Sequence, residues 1–319
     1  MDGIYILLRE DARPVRLLFR LTSPPSGESV GANAGGPFIV VDGKEYIRPM
    51  QHPSSPQARE MADESMVRNL AAQAEAIWPQ EEPIFDRHPV GNGSVLDVGC
   101  GTAEITERLA AKYPQATFVG IDLEVQHLHR SRARCAKFGS RVRFELGDAL
   151  AIPFPDAQFD LVVCRHLLQA IPDAARALAE IRRVLRPGGR AHLIAEDYGM
   201  LWCHPTELDS DGFWQVIPPR YAAAVGTDLH VGRKMFTMLH DLKMSEIAVD
   251  YIVVDTLRVP RDTFARIWEA WRDGFIDPIV QHAGVSREEA ERRFREMIDC
   301  ARDPRGYALW QVPLWTARK

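Results

Sequence analysis

The sequence predicts an α/β fold in which a mostly parallel β-sheet is covered by helices on both faces. From Ser94 to about Ala195, short apolar runs with strand character alternate with segments of helical periodicity. The first of these runs passes through a glycine-rich turn, Gly99-Cys100-Gly101, into a helix. Repeated β-α units of this kind place parallel strands side by side and require helices on both faces of the sheet.

The predicted strands share a high content of Val, Ile, Leu and Phe and are bounded by polar or turn residues. They cover residues 94–98, 117–121, 141–146, 159–163, 190–195, 247–254 and 309–316. Helices are predicted between and after these strands. The first follows the glycine-rich turn and ends at Lys112, and the others cover residues 125–137, 173–185, 232–242 and much of 261–300. The helix that begins at residue 173 is followed by Pro187 and Gly188, which commonly stand just beyond a helix end.

The N-terminal part of the chain has a different character. Residues 1–36 predict a flexible leader, or an over-extended start of the reading frame, because Ser, Pro and Gly recur in two short stretches. A hairpin is predicted around Asp42-Gly43, with strands over residues 38–41 and 45–48, and a helix over about 57–78. We therefore divide the chain into a leader (1–36), an N-terminal hairpin and helix (37–90) and an α/β domain (91–319).

Composition excludes several classes of function. The chain has 319 residues, a mass of 36.0 kDa and a formal net charge of −5 at pH 7. Proteins that neutralise phosphates normally carry a basic excess, so we expect no nucleic-acid partner. No apolar run suits a signal peptide or a membrane span, which predicts a cytoplasmic protein without membrane association. Five scattered cysteines predict free thiols, and no residue set has metal-ligand spacing, so we expect no metal.

The glycine-rich turn lies where a parallel sheet binds its ligands, at the carboxyl end of a strand. Gly99 and Gly101 permit left-handed backbone angles and let a ligand approach the main chain closely. Asp97 stands two residues before the first glycine, at the mouth of the turn. Its carboxylate repels a pyrophosphate and attracts an ammonium or a sulfonium group. The sequence therefore predicts a cationic nucleoside as the ligand.

Two further acidic residues follow the next two strands. Asp122 stands 23 residues after Gly99, near the spacing of about 20 at which a carboxylate reaches a ribose diol. Asp148 follows the third strand, in a position to accept a hydrogen bond from an adenine amino group. His127 and His129, on the helix after Asp122, are expected to be solvated. One such acid alone indicates only a helix cap or a strand end, whereas three at successive strand ends predict ligand binding.

Four segments resemble the class I S-adenosylmethionine (SAM)-dependent methyltransferases, in particular the small-molecule enzymes that include the ubiquinone/menaquinone C-methyltransferases. They are VLDVGCGTAEIT, GIDLE, ELGDALAIPFPDAQFDLVVCRHLLQAIPD and IRRVLRPGGRAHLIAED, and the resemblance covers roughly residues 94–195. It implies a Rossmann-like, seven-stranded sheet in the order 3-2-1-4-5-7-6 with the last strand antiparallel. It also implies that 91–319 is the methyltransferase domain and that residues 198–228 and 261–300 are insertions that shape the acceptor pocket.

The resemblance implies SAM as the cofactor and S-adenosyl-L-homocysteine as the product. It further implies that the N-terminal helix carrying Arg68 and Gln73 closes over the cofactor as a lid. The residues after the fourth strand of the domain are expected beside the methionyl part of the cofactor. The cofactor-binding residues expected on this basis are Gln73, Asp97, Gly99, Cys100, Gly101, Asp122, Leu123, Asp148, Ala149, Cys164 and Arg165.

Candidate catalytic residues follow strands four and five of the domain. His166 is the first candidate for an acceptor-side base, because an unperturbed imidazole titrates near neutrality. The alternative is that His166 packs against the core or caps the next helix. Glu196 is placed to orient an amine or hydroxyl acceptor or, like its neighbour Asp197, to cap the insertion that follows. His204 is a third candidate.

Aromatic residues mark both insertions. Residues 261–300 carry an aromatic stripe at helical spacing: Phe264, Trp268, Trp271 and Phe275. Residues 198–228 carry a second aromatic group: Trp202, Phe213 and Trp214. Such a stripe usually packs against its own domain, yet aromatic walls also line pockets for flat apolar ligands.

The expected function is SAM-dependent methyl transfer, by in-line displacement, to O, N or C of a small, hydrophobic or aromatic metabolite, as in secondary metabolism. Proximity is expected to supply most of the rate acceleration, with a general base as an optional addition. We expect a monomer or a homodimer. The alternatives are the same chemistry on tRNA or protein, and a SAM-binding regulator or scaffold without catalysis.

Overall fold

The computed structural model describes residues 38–41, 44–47, 64–88, 90–208 and 210–319. The predicted leader, residues 1–36, lies outside them. The chain divides into two units, Met1–Ser54 and Ser55–Lys319. In the first unit, strands β1 (Phe38–Val41) and β2 (Lys44–Ile47) pair antiparallel, which is the hairpin predicted from Asp42-Gly43 with its second strand one residue earlier.

The second unit is built on one mixed sheet of eight strands. Its strands are β3 (Ser94–Val98), β4 (Thr117–Asp122), β5 (Val142–Leu146), β6 (Phe159–Arg165), β7 (Leu185–Ile194), β8 (Leu201–His204), β9 (Ser245–Asp255) and β10 (Tyr307–Arg318). Strands β3 to β7 are parallel in the order β5-β4-β3-β6-β7, and β10 lies antiparallel between β7 and β9. The order predicted from the family resemblance is confirmed.

Strand β8 is an addition to the predicted sheet. Its four residues pair antiparallel with Tyr307–Trp310, the first part of β10. Farther along, residues 314–318 of β10 pair with β7. The sequence predicted only an insertion here, because the partner of β8 lies about a hundred residues later in the chain and leaves no local signal.

Helices cover the sheet. They are α1 (Glu64–Phe85), α2 (Glu104–Lys112), α3 (Val125–Cys135), α4 (Ala174–Val184), α5 (Ser210–Val225), α6 (Met235–Asp241), α7 (Arg261–His282) and α8 (Arg287–Arg302). Side-chain caps fix the start of two of them: the Asp173 carboxylate accepts from the N–H of Arg176 in α4, and the Ser286 hydroxyl accepts from the N–H of Glu289 in α8. Among the described residues, no helix has the length and apolar character required to cross a bilayer.

Helix α1 differs from its prediction, which ended it at Trp78. The helix continues through Pro79 and Pro83 to Phe85, and the predicted part before Glu64 lies outside the described residues. Each proline removes one main-chain hydrogen bond. The helix persists because its last turns bury Glu81 and Phe85 completely, so that tertiary packing outweighs the local cost.

The aromatic stripe of the last insertion forms part of the core. Phe264, Trp268 and Trp271 are all at most 1% exposed on α7. Trp271 packs with its ring centroid 5.3 Å from that of Trp310 in β10 and 5.7 Å from that of Trp214 in α5. The stripe therefore joins both insertions to the sheet.

Candidate functional site

The glycine turn after β3 has backbone angles that residues with a side chain rarely adopt. Gly99 and Gly101 have φ angles of 71° and 52°, in the left-handed region that favours glycine. The N–H groups of Gly99 and Cys100 both donate to the carbonyl oxygen of Ile121 at 2.9 Å, which ties the turn to β4. A Cβ on Gly101 would meet the Leu70 side chain of α1 at 2.8 Å. Helix α1 therefore lies directly against the turn.

Asp122 is held at this turn by two main-chain donors. Its Oδ2 accepts from the N–H of Gly101 at 2.8 Å, and its Oδ1 accepts from the N–H of Glu124 at 2.9 Å. Each carboxylate oxygen has a second lone pair, and the side chain lines a cavity above the turn. This arrangement suits a ligand with two neighbouring hydroxyl donors, such as a ribose diol.

The cavity brings together most of the predicted cofactor residues with one predicted catalytic residue. Those that line it are Gly99, Gly101, Asp122, Leu123, Asp148, Ala149, Arg165 and His166. These residues follow four neighbouring parallel strands, β3, β4, β5 and β6, whose carboxyl ends meet at one edge of the sheet.

The other predicted site residues do not line this cavity. Cys164 is fully buried in the apolar core, and burial raises the pKa of its thiol. Burial, followed by the nearby Asp97 and Asp122, also raises the pKa of Cys100. Gln73 is buried on α1, and His204 is exposed on β8.

Asp97 lies beneath the turn and not at its mouth. Asp97 is only 3% exposed. Its Oδ2 accepts a hydrogen bond of 2.5 Å from the hydroxyl of Thr106 in α2. Burial raises the pKa of Asp97 to about 6, although Thr106 and Arg165 act in the opposite direction. The carboxylate therefore joins β3 to α2 and does not line the cavity, contrary to the prediction from the sequence.

A buried charge cluster, which the sequence did not reveal, supports the cavity. Glu81 of α1 is fully buried, with Oε2 2.9 Å from Nη2 of Arg165 and Oε1 2.9 Å from Nε2 of His192 in β7. The ring of Phe85 stacks on His192 at 3.8 Å. Burial acts to raise the pKa of Glu81, but Arg165 and His192 outweigh it and lower the pKa. Glu81 is therefore a buried carboxylate that holds Arg165 beside the cavity.

His166, which lines the cavity, forms a buried pair with Glu196. Nδ1 of His166 lies 2.5 Å from Oε1 of Glu196, and the N–H of His166 donates to the carbonyl oxygen of Ile194 at 3.1 Å. His166 has a φ of 54°, a left-handed conformation that costs about 1–3 kcal/mol outside glycine and concentrates at functional sites. Its Nε2 is buried and makes no hydrogen bond within the described part of the chain.

Two neighbours complete this region. Burial, followed by the Glu196 carboxylate, raises the pKa of Tyr198 well above its usual value. Asp197, by contrast, is occupied by Arg233, whose Nε and Nη2 donate to its carboxylate at 2.6 and 2.7 Å. Of the two consecutive acids, Glu196 alone lies against the candidate base.

His127 is a site residue that the sequence analysis missed. We expected it to be solvated, but it is 4% exposed, lines the cavity and has Nδ1 3.7 Å from Oδ1 of Asp122. His129, two residues later, is exposed as expected. Asp122 ends β4 whereas His127 lies on α3, so no periodic spacing joins them and their approach follows from the fold.

Comparisons with known proteins agree with this arrangement. Residues 95–189 match the family described as "Methyltransferase domain". Over 100 residues, 31% of this chain and 42% of the relative, the sequence is 42% identical to a demethylmenaquinone methyltransferase of Deinococcus radiodurans. Over 119 residues, 37% of this chain and 42% of the relative, it is 39% identical to a 27-O-demethylrifamycin SV methyltransferase of Amycolatopsis mediterranei. The matches thus span less than half the length of these relatives.

A solved structure extends the likeness beyond the matched domain. Phosphoethanolamine N-methyltransferase 2 of Haemonchus contortus, in complex with S-adenosyl-L-methionine, superimposes with a TM-score of 0.53 at 18% identity. The superposition covers 86% of this chain and 62% of that protein. At this identity the likeness establishes a shared fold alone.

Proposed function

We propose that the chain transfers the methyl group of SAM to a small, hydrophobic or aromatic metabolite, because residues 95–189 match a methyltransferase-domain family. The observation that carries the proposal is that His166, paired with the buried Glu196, lines the same cavity as the glycine turn and Asp122. A base at this position favours an acceptor that loses a proton, at oxygen or nitrogen, over one that does not.

The described residues fit SAM. Asp122 offers two acceptor oxygens to the ribose hydroxyls, and Asp148 stands after the next strand for the adenine amino group. The glycines let the ligand approach the main chain. Arg165 lines the cavity, and its positive charge is suited to the carboxylate of the methionyl part. When bound, SAM supplies an electrophilic methyl group on a sulfonium sulfur.

His166 is the residue to which we assign the acceptor proton. With Nδ1–H donated to Glu196, Nε2 carries the lone pair and points to no protein partner among the described residues. A hydroxyl acceptor donates to Nε2 and loses its proton there as the methyl group arrives. An ammonium acceptor gives its proton to Nε2 first, because its nitrogen has no lone pair for the methyl group until then. Glu196 stabilises the imidazolium that results. Such general-base help contributes roughly 10²–10⁴-fold to the rate.

Positioning is expected to contribute more than the base. Leu167, Ala170 and Ile171 line the cavity beside His166, and α1 contributes Leu70 from above. These apolar side chains exclude water and hold the acceptor against the methyl donor. Proximity and orientation of this kind supply about 7–11 kcal/mol in well-aligned reactions.

The test is release of S-adenosyl-L-homocysteine when the protein is incubated with SAM and a metabolite extract. A product that gains one methyl group for one hydrogen, identified by mass spectrometry, supports the proposal. His166→Ala should slow product formation by roughly 10²–10⁴-fold. Binding of SAM without turnover on any small molecule, or turnover only on tRNA or protein, would reject the proposal in favour of a regulator or a macromolecular methyltransferase.

A further inference from the structure

A second cavity, of about 310 Å³, lies at the opposite end of the sheet from the glycine turn. It is formed at the amino ends of β6 and β7, where Leu161 pairs with Arg190, and where Arg190 pairs in turn with Arg318 of β10. We call it the amino-end cleft and define it by Arg87, His88, Asp160, Arg186, Arg190 and Arg318. None of these residues belongs to the candidate methyl-transfer site.

The amino-end cleft carries a small excess of positive charge, although the chain as a whole has a net charge of −5. Four guanidinium groups line it, against one carboxylate. Three carboxylates pair with these four arginines, because one glutamate pairs with two of them. The local net charge of these groups is therefore positive by one. The pairs are Arg87 with Asp250, Arg186 with Asp160, and both Arg190 and Arg318 with Glu246.

His88 adds a polar group that the protein does not satisfy. It lines the amino-end cleft and is 8% exposed, yet neither ring nitrogen makes a hydrogen bond within the described residues. Burial, followed by the positive charges of Arg190 and His192, lowers the pKa of His88 to about 4. The imidazole is therefore neutral at pH 7, with one N–H to donate. Its ring therefore adds no charge to the wall of the cleft, and the arginines supply the positive charge there.

We propose that the amino-end cleft binds a phosphoryl group carried by a small soluble molecule. Guanidinium groups match phosphate oxygens with paired, parallel N–H donors, and the four arginines approach the cleft from three separate parts of the chain. The imidazole of His88 lies beside these arginines in the wall of the cleft. The four arginines carry one more charge than their three carboxylate partners, and a phosphoryl anion compensates that excess, which a neutral ligand does not.

The experiment follows the ring signals of His88 by NMR in the full chain while inorganic phosphate is added at constant ionic strength. We expect a saturable shift, because the phosphoryl group contacts the imidazole. Arg318→Ala should weaken binding by about tenfold, since it removes a charge-assisted hydrogen bond. Arg87→Ala provides a second variant on a different element. Arg305→Ala is the matched control, because that side chain is 87% exposed and pairs with Asp303 away from the cleft.

A parallel titration with glycerol phosphate distinguishes the source of the phosphoryl group. Tighter binding of the ester assigns the cleft to a phosphorylated metabolite, and equal binding assigns it to the free anion, and both support the proposal. Linear, non-saturating shifts of equal size in the wild type, Arg318→Ala and Arg305→Ala would overturn it. The outcome is independent of the proposed methyl transfer, because binding of S-adenosyl-L-homocysteine to the same samples reports on that site separately.

Discussion

The two sides of the candidate methyl-transfer site are built from different kinds of sequence information. The cofactor side lies within about fifty consecutive residues, from Gly99 to Ala149. Its side chains come from the carboxyl ends of three adjacent parallel strands. The acceptor side joins His166 to Glu196, and the preceding residue, Arg165, is held by Glu81 of α1. The first side is local and carries a recognisable motif, whereas the second depends on contacts that only the folded chain makes.

This difference has a consequence for stability as well as for function. On the cofactor side, main-chain N–H groups hold the decisive carboxylate of Asp122. Next to His166, by contrast, the buried carboxylate of Glu81 pairs with the side chains of Arg165 and His192. Substitutions in the buried charges should therefore damage the fold, while substitutions at the cavity surface should damage binding or turnover.

The largest expected effect on stability is that of Glu81→Gln. The amide keeps the shape of the side chain but leaves the Arg165 guanidinium buried without a counter-charge, which costs about 3–5 kcal/mol of unfolding free energy. Urea unfolding at pH 7 measures the loss. Glu64→Gln is the control, because Glu64 pairs with Arg130 on the surface of the same helix with 73% of its side chain exposed. A loss below about 1 kcal/mol for Glu81→Gln would show that the cluster is not structural.

The same variant has a distinct pH dependence. The pKa of Glu81 is lowered in the folded protein, so its ionisation stabilises the fold above the unfolded pKa. That stability is lost as the pH falls through the folded pKa. The wild type should therefore lose its advantage over Glu81→Gln in acid, and a constant difference between the two proteins down to pH 3 would contradict the assignment.

Asp97→Asn should act in the opposite direction on stability. The pKa of Asp97 is raised to about 6 in the folded protein, above the ordinary 3.8, so its ionisation costs stability as the pH rises through this window. The variant removes that cost, which amounts to as much as about 3 kcal/mol at pH 8. Unfolding measured from pH 4 to pH 8 should show a flatter profile for Asp97→Asn. An unchanged profile would mean that Asp97 is not the titrating group.

The smallest expected effect is that of Glu196→Gln on turnover. The amide still accepts a hydrogen bond from Nδ1–H of His166 but no longer stabilises the imidazolium, and the rate should fall about 10–100-fold. Asp197→Asn is the neighbouring control for the turnover measurement, because Asp197 is engaged by Arg233 and not by His166. Equal losses of turnover in both variants would contradict the role assigned to Glu196.

The extent of prediction from sequence follows the same division. The strands before and after the glycine turn, and the acids at their ends, are visible because each is a local pattern of apolar residues and turn residues. Helix α5 is not, because Pro218 and Pro219 lie inside it and read as breakers. Glu81 was missed for a related reason, since Pro79 was read as the end of α1.

Long-range contacts explain the remaining differences. The pairing of His166 with Glu196 spans 30 residues, and that of Glu81 with His192 spans 111. Neither pairing leaves a periodic pattern in the sequence. The sequence therefore predicts His166 and Glu196 as separate candidates and does not indicate Glu81 or His192. The burial of His127 was missed because the polar residues around it masked which face of α3 meets the cavity.

The most direct test of the division between the two sides is calorimetric titration of S-adenosyl-L-homocysteine into the wild type, Asp122→Ala and His166→Ala. Asp122→Ala should weaken binding by about 10²–10⁴-fold, because two hydrogen bonds to a charged group are lost. His166→Ala should bind within about threefold of the wild type, since its role begins with the acceptor. Unchanged binding in Asp122→Ala, or an equal loss in both variants, would contradict the assignment of the two sides.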